Sequence, residues 1–128
     1  MNITVTVQQA RQLVAIMRLQ GDIDASNFVQ VVDKAREIYE NPARHLIIDL
    51  SEVPNITSTG LVAIHKIALL YSGVSEEKAH PDFTHSSNAR KFVKLLSPQP
   101  AVDKALETAG LKLFFKVFDD LESALNSF

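Results

Sequence analysis

The chain has 128 residues, 46% of them hydrophobic and 22% charged, with a net charge of −2 at pH 7 and no cysteine. This length and composition are typical of one globular domain, spanning residues 1–128, and unlike those of disordered chains. Nucleic-acid binding is disfavoured because Lys and Arg are not in clustered excess, and the lack of cysteine excludes disulfides, thiol catalysis and Cys-ligated zinc.

Targeting and membrane signals are missing from the sequence. No apolar run approaches the roughly 18 residues that a membrane-spanning helix needs. The opening stretch, MNITVTVQQARQ, has neither the basic region nor the long apolar segment of a signal peptide. We therefore expect a cytoplasmic protein that does not bind membranes.

The first elements in chain order are a pair of strands followed by a helix. Residues 3–7 alternate between apolar and polar, and residues 13–19 are again rich in strand-forming residues. Asp24 and Ser26 offer N-cap oxygens for a helix that we expect to end near 41–42. The apolar face of this helix is predicted to contain Phe28, Val32, Ala35 and Tyr39.

A buried strand and a second helix come next. Residues 45–50, HLIIDL, form a short apolar run that indicates a strand in the middle of the sheet. Asp49 interrupts this run, and we expect it to form hydrogen bonds because buried carboxylates are seldom unpaired. The second helix follows three consecutive hydroxyl residues and ends near Gly73. Its inward residues are predicted to be Leu61, Ile64, Ala68 and Tyr71.

The last third of the chain predicts a loop, two strands and two helices. Residues 73–88 have no strand or helix period and are predicted to form a long loop. A strand over 92–96 precedes a helix that begins near Pro100, presents Val102, Leu106 and Ala109 inward, and stops at Gly110. Residues 111–118 predict a fifth strand, and Asp119 is placed to cap a last helix with Leu121, Ala124 and Leu125 inward. The fold class is therefore α/β, with a mixed sheet of about five strands and about four helices.

The hydroxyl cluster Thr57, Ser58 and Thr59 lies where a strand gives way to a helix. Hydroxyls at such a junction can cap the helix, attack a substrate or accept a phosphate, and the local residues alone favour a cap. A serine hydrolase is the enzymatic alternative, but the stretch has neither a G-x-S-x-G elbow nor an S-x-x-K pattern. We therefore predict that the protein is not an enzyme.

Other polar clusters carry little functional signal. His80, Asp82 and His85 do not have the spacing of an established metal site, and a solvated loop explains them better. His65, on the second helix, is interpreted as a surface or hydrogen-bonded histidine. No metal and no cofactor is predicted.

Three segments in order give the chain a resemblance to a known family. They are LQGDIDASNF, LIIDLSEVPNITSTGL and LLSPQPAVDKALETAGL. Together they resemble a STAS domain of the bacterial anti-sigma-factor-antagonist type over nearly the whole chain except residues 73–88. In that family the serine before the Ser/Thr-Gly pair is the phosphoacceptor. The resemblance therefore implies phosphorylation at Ser58, with Thr57 and Thr59 as secondary candidates.

The resemblance also implies a partner-switching function. The unphosphorylated protein would bind an anti-sigma factor serine kinase and release a sigma factor, phosphate on Ser58 would abolish binding, and a serine phosphatase would restore it. The residues expected near this interface are Asp22, Asp24, Asp49, Thr57, Ser58, Thr59, Gly60 and Leu61. Thr57 stands where family members usually have Asp. This departure leaves open a STAS module without a switch, acting as a scaffold or a small-ligand-binding subunit. Whether the chain forms a homodimer is also open.

Overall fold

The structure is a computed structural model that describes residues 1–40, 45–71 and 91–128. Strands form where apolar and polar residues alternate with a period of two or form a short apolar run, and helices form where apolar residues recur every three or four positions. The strands are β1 (Asn2–Gln9), β2 (Leu13–Gln20), β3 (His45–Glu52), β4 (Val93–Leu96) and β5 (Lys116–Phe118). The helices in these ranges are α1 (Phe28–Glu40), α2 (Ser58–Tyr71), α3 (Pro100–Thr108) and α4 (Leu121–Leu125).

The five strands form one mixed sheet in the order β1-β2-β3-β4-β5. β1 and β2 are antiparallel neighbours, whereas each later pair is parallel and therefore needs a crossover connection. In the described part of the chain, α1 lies in the connection from β2 to β3, α2 in that from β3 to β4, and α3 in that from β4 to β5. The α/β fold class with a central third strand, predicted from the sequence, is confirmed.

The two faces of the sheet are covered unequally. In β3, Leu46, Ile48 and Leu50 point into the main core, whereas Ile47 and Asp49 point to the opposite face. The main core also contains the apolar stripes of α1, α2 and α3. On the other face, α4 covers a smaller cluster around Ile47. The buried apolar side chains of the three larger helices are Val31, Val32, Ala35, Ile38, Ala63, Ile64, Ile67, Ala68, Tyr71, Val102 and Leu106.

The segment predicted as a fifth strand over 111–118 is mostly not a strand. Leu111–Leu113 form a 3-10 turn, and only Lys116–Phe118 join the sheet. Gly110 has φ of +74°, a left-handed conformation that glycine adopts without strain, and it redirects the chain after α3. Because of this turn, Leu111 and Phe115 are buried while Leu113 between them is exposed. A strand would have placed all three on one face.

Two smaller predictions near the C-terminal end were also wrong. Ala109 is exposed rather than inward, because α3 ends at Thr108 and Ala109 is its C-cap. The N-cap of α4 is Asp120 rather than Asp119: the Asp120 carboxylate accepts a hydrogen bond from the Ser123 N–H at 2.8 Å. The Asp119 carbonyl instead accepts a hydrogen bond from the Ser97 hydroxyl.

Several predictions fall on parts of the chain that the structure does not describe. The loop over 73–88, the helix stop at Gly73 and the polar residues His80, Asp82 and His85 lie outside the described residues. Across the helices that are described, none combines the length and apolar character needed to cross a lipid bilayer.

The unequal burial of residues 111–115 predicts that alanine substitutions at Leu111 and Leu113 change the free energy of unfolding by different amounts. Leu111→Ala should lower the free energy of unfolding by about 2–5 kcal/mol, because Leu111 is only 5% exposed in the main core. Leu113→Ala, at a position that is 59% exposed, should change it by no more than about 0.5 kcal/mol. Urea denaturation of both variants measures the difference, and equal losses would indicate a continuous strand instead.

Candidate functional site

The start of α2 is held by a contact with the turn that follows β2. The Thr57 N–H donates to the Ile23 carbonyl at 3.0 Å, and the Ile23 N–H donates to the Asn55 carbonyl at 3.1 Å. Ile23 and Ile56 form an isolated parallel bridge. Because Ile23 is fully buried, this bridge anchors the beginning of α2 to the core.

Thr57 immediately precedes α2 and acts as its N-cap. The Gly60 N–H donates to Thr57 Oγ1 at 3.2 Å, and the Leu61 N–H donates to the Thr57 carbonyl at 2.9 Å. The Thr57 hydroxyl also donates to the Ile23 carbonyl, at 3.4 Å. Thr57 therefore satisfies one of the helix N–H groups that lack partners within the helix, and it also binds the neighbouring turn.

Gly60 allows the helix and the turn to approach each other. A Cβ atom at this position would lie 2.4 Å from the Ile23 carbonyl oxygen and 2.7 Å from Ile56 Cγ1. Real Cβ atoms do not come this close to backbone oxygen, and the oxygen belongs to the carbonyl that also binds Thr57. The absence of a side chain at Gly60 is therefore required by packing.

Ser58 is the first residue of α2, and its side chain is exposed. In the part of the chain that the structure describes, its hydroxyl makes no hydrogen bond. The N–H groups of Ser58 and Thr59 also point out of the first turn without partners in that part of the chain. Such a helix start favours an anion, because unpaired N–H groups and the helix dipole place partial positive charge there.

Asp22 and Asp24 lie on either side of Ile23, on the turn that binds Thr57. The exposed Asp22 carboxylate accepts a hydrogen bond from the Asn55 side chain at 3.5 Å. The Asp24 carboxylate accepts from the hydroxyl and the backbone N–H of Ser26, and these bonds hold the pKa of Asp24 below its usual value. Both carboxylates thus lie on the turn that adjoins the helix start, and Asp24 is ionised at neutral pH.

The prediction that Asp24 or Ser26 caps α1 is wrong. Asp24 organises the turn before the helix, through Ser26 and through its own N–H, which donates to Asn27 Oδ1. The residue in the capping position is Asn27, whose carbonyl accepts from the Val31 N–H. The Asn27 amide also donates to the Asp22 carbonyl at 2.7 Å, which ties the turn to the helix.

Asp49 is not brought together with the start of α2. It is 3% exposed, and its side chain points to the face of the sheet opposite α2. Arg18 Nε donates to Asp49 Oδ2 at 3.1 Å, and the Ser51 N–H donates to Oδ1 at 3.0 Å. The hydrogen-bonding role expected of Asp49 is confirmed, and its charge is engaged within the fold.

The remaining predicted residues divide by burial. Thr59 is half-buried, Gly60 is buried, and Leu61 packs partly against the main core. Val62, which the sequence does not single out, is 46% exposed and lies one helical turn after Ser58 on the same side of α2. Spacing of four residues from Ser58 was the signal that could have identified it. We call Asp22, Asp24, Thr57, Ser58, Thr59 and Val62 the helix-start surface.

Among residues 1–40, 45–71 and 91–128, neither a catalytic nor a metal-binding arrangement forms around Ser58. In the described ranges, no side chain that could act as a base hydrogen-bonds its hydroxyl, as an activated serine nucleophile requires. No group of three or more potential metal ligands occurs among the same residues. His65 lies with its ring 5.1 Å from that of Phe114, and burial lowers the pKa of this histidine.

The STAS domain family model matches residues 5–72, more than half of the chain. The chain therefore belongs to the STAS domain family. The matched region includes the turn around Ile23, the segment 55–57 and all of α2.

Solved structures of anti-sigma factor antagonists and of a transporter family protein share this fold. An anti-sigma factor antagonist from Mycobacterium paratuberculosis is 21% identical with a TM-score of 0.69, covering 98% of this chain and 93% of that one. The Bacillus cell fate determinant SpoIIAA in its phosphorylated form is 14% identical with a TM-score of 0.58, covering 96% and 97%. A sulfate transporter family protein from Wolinella succinogenes is 20% identical with a TM-score of 0.59, covering 88% and 82%. The likeness supports the fold, and function depends on the site.

The close approach of α2 to the turn at Gly60 predicts that one added methyl group at this position destabilises the protein. Gly60→Ala should lower the free energy of unfolding by about 1–3 kcal/mol, because the new Cβ would push α2 away from the Ile23 carbonyl. Urea denaturation measures the loss. Gly110→Ala is the contrasting case: no atom lies within 4 Å of the added Cβ, so any loss there comes from backbone strain alone. A neutral Gly60→Ala would contradict the proposed packing.

The assignment of the cap to Thr57 predicts unequal effects at two adjacent hydroxyls. Thr57→Ala should cost about 0.5–2 kcal/mol of stability, because it removes the acceptor for the Gly60 N–H. Ser58→Ala should change stability by no more than about 0.5 kcal/mol. Thermal unfolding of the two variants, with Thr57→Ser as the conservative control, provides the measurement. A larger loss at Ser58 than at Thr57 would overturn the assignment.

Proposed function

We propose that this protein is a cytoplasmic anti-sigma-factor antagonist whose binding to an anti-sigma factor serine kinase is controlled by phosphorylation of Ser58. The observation that carries this proposal is the division of work between two neighbouring hydroxyls. Thr57 caps α2 and binds Ile23, whereas the Ser58 hydroxyl is exposed and is not used by the fold. A kinase and a phosphatase could therefore modify Ser58 without disturbing the scaffold.

The same geometry favours Ser58 over the adjacent threonines as the phosphoacceptor. Phosphate on Thr57 would replace the hydroxyl hydrogen that donates to the Ile23 carbonyl, and it would place negative charge against that carbonyl and crowd the oxygen that accepts from Gly60. Thr59 is half-buried at the second position of the helix. Of the three hydroxyls, Ser58 is therefore the one that is exposed and can be modified at the smallest cost to stability.

The start of α2 tolerates a phosphate, but the interaction between phosphate and helix dipole is too weak to change the fold of the domain. A phosphoserine carries about −1.5 to −2 charges at pH 7, and a helix dipole stabilises a nearby anion by about 0.3–1 kcal/mol at an exposed site. Moving a two-state equilibrium from 1:99 to 99:1 takes about 5.5 kcal/mol. Refolding of the domain is therefore a poor mechanism for the switch.

Blocking of an interface is the mechanism that the helix-start surface supports. Val62 supplies exposed apolar area one turn from Ser58, which a partner could cover. A desolvated and unpaired charge in such a contact costs several kcal/mol. The Asp22 and Asp24 carboxylates on the adjoining turn make the surface already acidic, so an added phosphate raises the local negative charge further. Phosphorylation would thus repel the partner while the scaffold stays unchanged.

Binding measurements with matched variants test the proposal. Ser58→Ala should keep its affinity for the anti-sigma serine kinase of the same organism. Ser58→Asp should lose at least about tenfold, or roughly 1.4 kcal/mol, through the added charge. Ser123→Asp is the matched control, because it also places a carboxylate in the first turn of a helix, but on α4 at the opposite face of the sheet. Isothermal titration calorimetry measures all three affinities.

Other outcomes identify the alternatives. Incubation with the kinase and ATP, followed by mass spectrometry, should place a single phosphate on Ser58. Equal kinase binding by Ser58→Asp and Ser58→Ala would refute the switch and favour the STAS module that acts as a scaffold or small-ligand-binding subunit. A serine-directed covalent probe should label nothing, and labelling of Ser58 would indicate a hydrolase instead.

A further inference from the structure

The outer edge of the sheet at β1 has the properties of an association surface. β1 has eight residues and pairs with β2 in an uninterrupted one-to-one register from Asn2 opposite Gln20 to Gln9 opposite Leu13. In the part of the chain that the structure describes, β2 is its only neighbour in the sheet. Among these residues, no strand covers the other side of β1, which presents a row of backbone N–H and C=O groups for pairing.

β1 lacks the features that usually prevent edge strands from associating. Natural edge strands are commonly short, bulged, or protected by Lys and Pro. β1, with the sequence NITVTVQQ, has no charged residue, no proline and no bulge in its register. Its β-branched residues have high strand propensity. A second uncharged strand could approach this edge without electrostatic repulsion.

The two faces of β1 are self-complementary under a two-fold axis. The odd-numbered residues Ile3, Val5 and Val7 lie on the helix side of the sheet, because they are opposite Leu19, Met17 and Ala15 of the main core. The even-numbered residues on the other side are polar. A two-fold axis normal to the sheet keeps like faces together, so apolar residues of one copy would meet apolar residues of the other. Threonines would likewise meet polar residues, and such cross-strand pairs are favourable.

We propose that β1 pairs antiparallel with β1 of a second copy of this chain, joining the two five-stranded sheets into one continuous sheet. The same association would cover apolar surface on β1 itself, because Val7 lies on the helix side of the sheet and is 55% exposed. One eight-residue edge buries less area than a standard stable interface, so the dimer dissociates on dilution. The pairing uses no residue of the helix-start surface.

A pair of lysines on β1 tests the proposal directly. The full-length protein should shift from monomer to dimer with rising concentration in sedimentation velocity. Thr4→Lys/Thr6→Lys should raise the dimer dissociation constant by at least about tenfold, because a two-fold axis at the middle of β1, within residues 4–6, brings these side chains near their counterparts. Both threonines are exposed and face away from the helices, so the fold should be retained, as circular dichroism will show. The same two charges at the exposed Thr108 and Ala109 of the α3 end should leave association unchanged.

Mixing charge variants distinguishes edge pairing from other dimers. An equimolar mixture of Thr4→Lys/Thr6→Lys with Thr4→Glu/Thr6→Glu should restore association, since opposite charges then face each other across the edge. Amide hydrogen exchange in Asn2–Gln9 should slow in the wild type as concentration rises. A protein that stays monomeric at its highest soluble concentration would overturn the proposal, as would a dimer insensitive to the lysines. Dimerisation by Ser58→Asp at the wild-type level would show that association is separate from the proposed switch.

Discussion

The carbonyl of Ile23 is the single acceptor on which the architecture of the candidate site depends. It accepts hydrogen bonds from the N–H and the hydroxyl of Thr57, and it lies against the Cα of Gly60. These contacts join the turn after β2 to the start of α2, two segments that are more than thirty residues apart in the chain. The carboxylates of the turn and the hydroxyls of the helix start come onto one surface because of this contact.

Two neighbouring hydroxyls then have separate roles. Thr57 is committed to the fold, since its oxygen both accepts from Gly60 and donates to Ile23. Ser58 is the next residue, yet it contributes little to the fold and stays exposed. A threonine and an aspartate can both serve as N-caps, and Thr57 provides the cap without a negative charge beside Ser58. The capping function and the proposed modification can therefore vary independently.

Much of this fold follows from local patterns, and the exceptions have a common cause. Alternation in residues 3–7 and the apolar run around Ile48 gave the strands, because side-chain periodicity is a local property. The strand predicted over residues 111–115 is wrong because Leu111, Leu113 and Phe115 have the spacing of a strand. The left-handed conformation of Gly110, which starts a 3-10 turn here, is not evident from that spacing. The position of Asp49 and the choice of Thr57 as the cap were equally unpredictable. Both depend on partners, Arg18 and Ile23, that are distant in the chain.

Amide NMR of the protein phosphorylated on Ser58 tests most directly whether the modification acts on a rigid scaffold. If Thr57 keeps the cap, chemical-shift changes will be confined to the first turn of α2 and the Asp22–Asp24 turn. The amides of Ile23, Thr57 and Gly60 will then exchange with solvent as slowly as before. Loss of protection along α2, or rupture of the bond between the Thr57 amide and the Ile23 carbonyl, would show that phosphate unfolds the site instead of changing its surface charge.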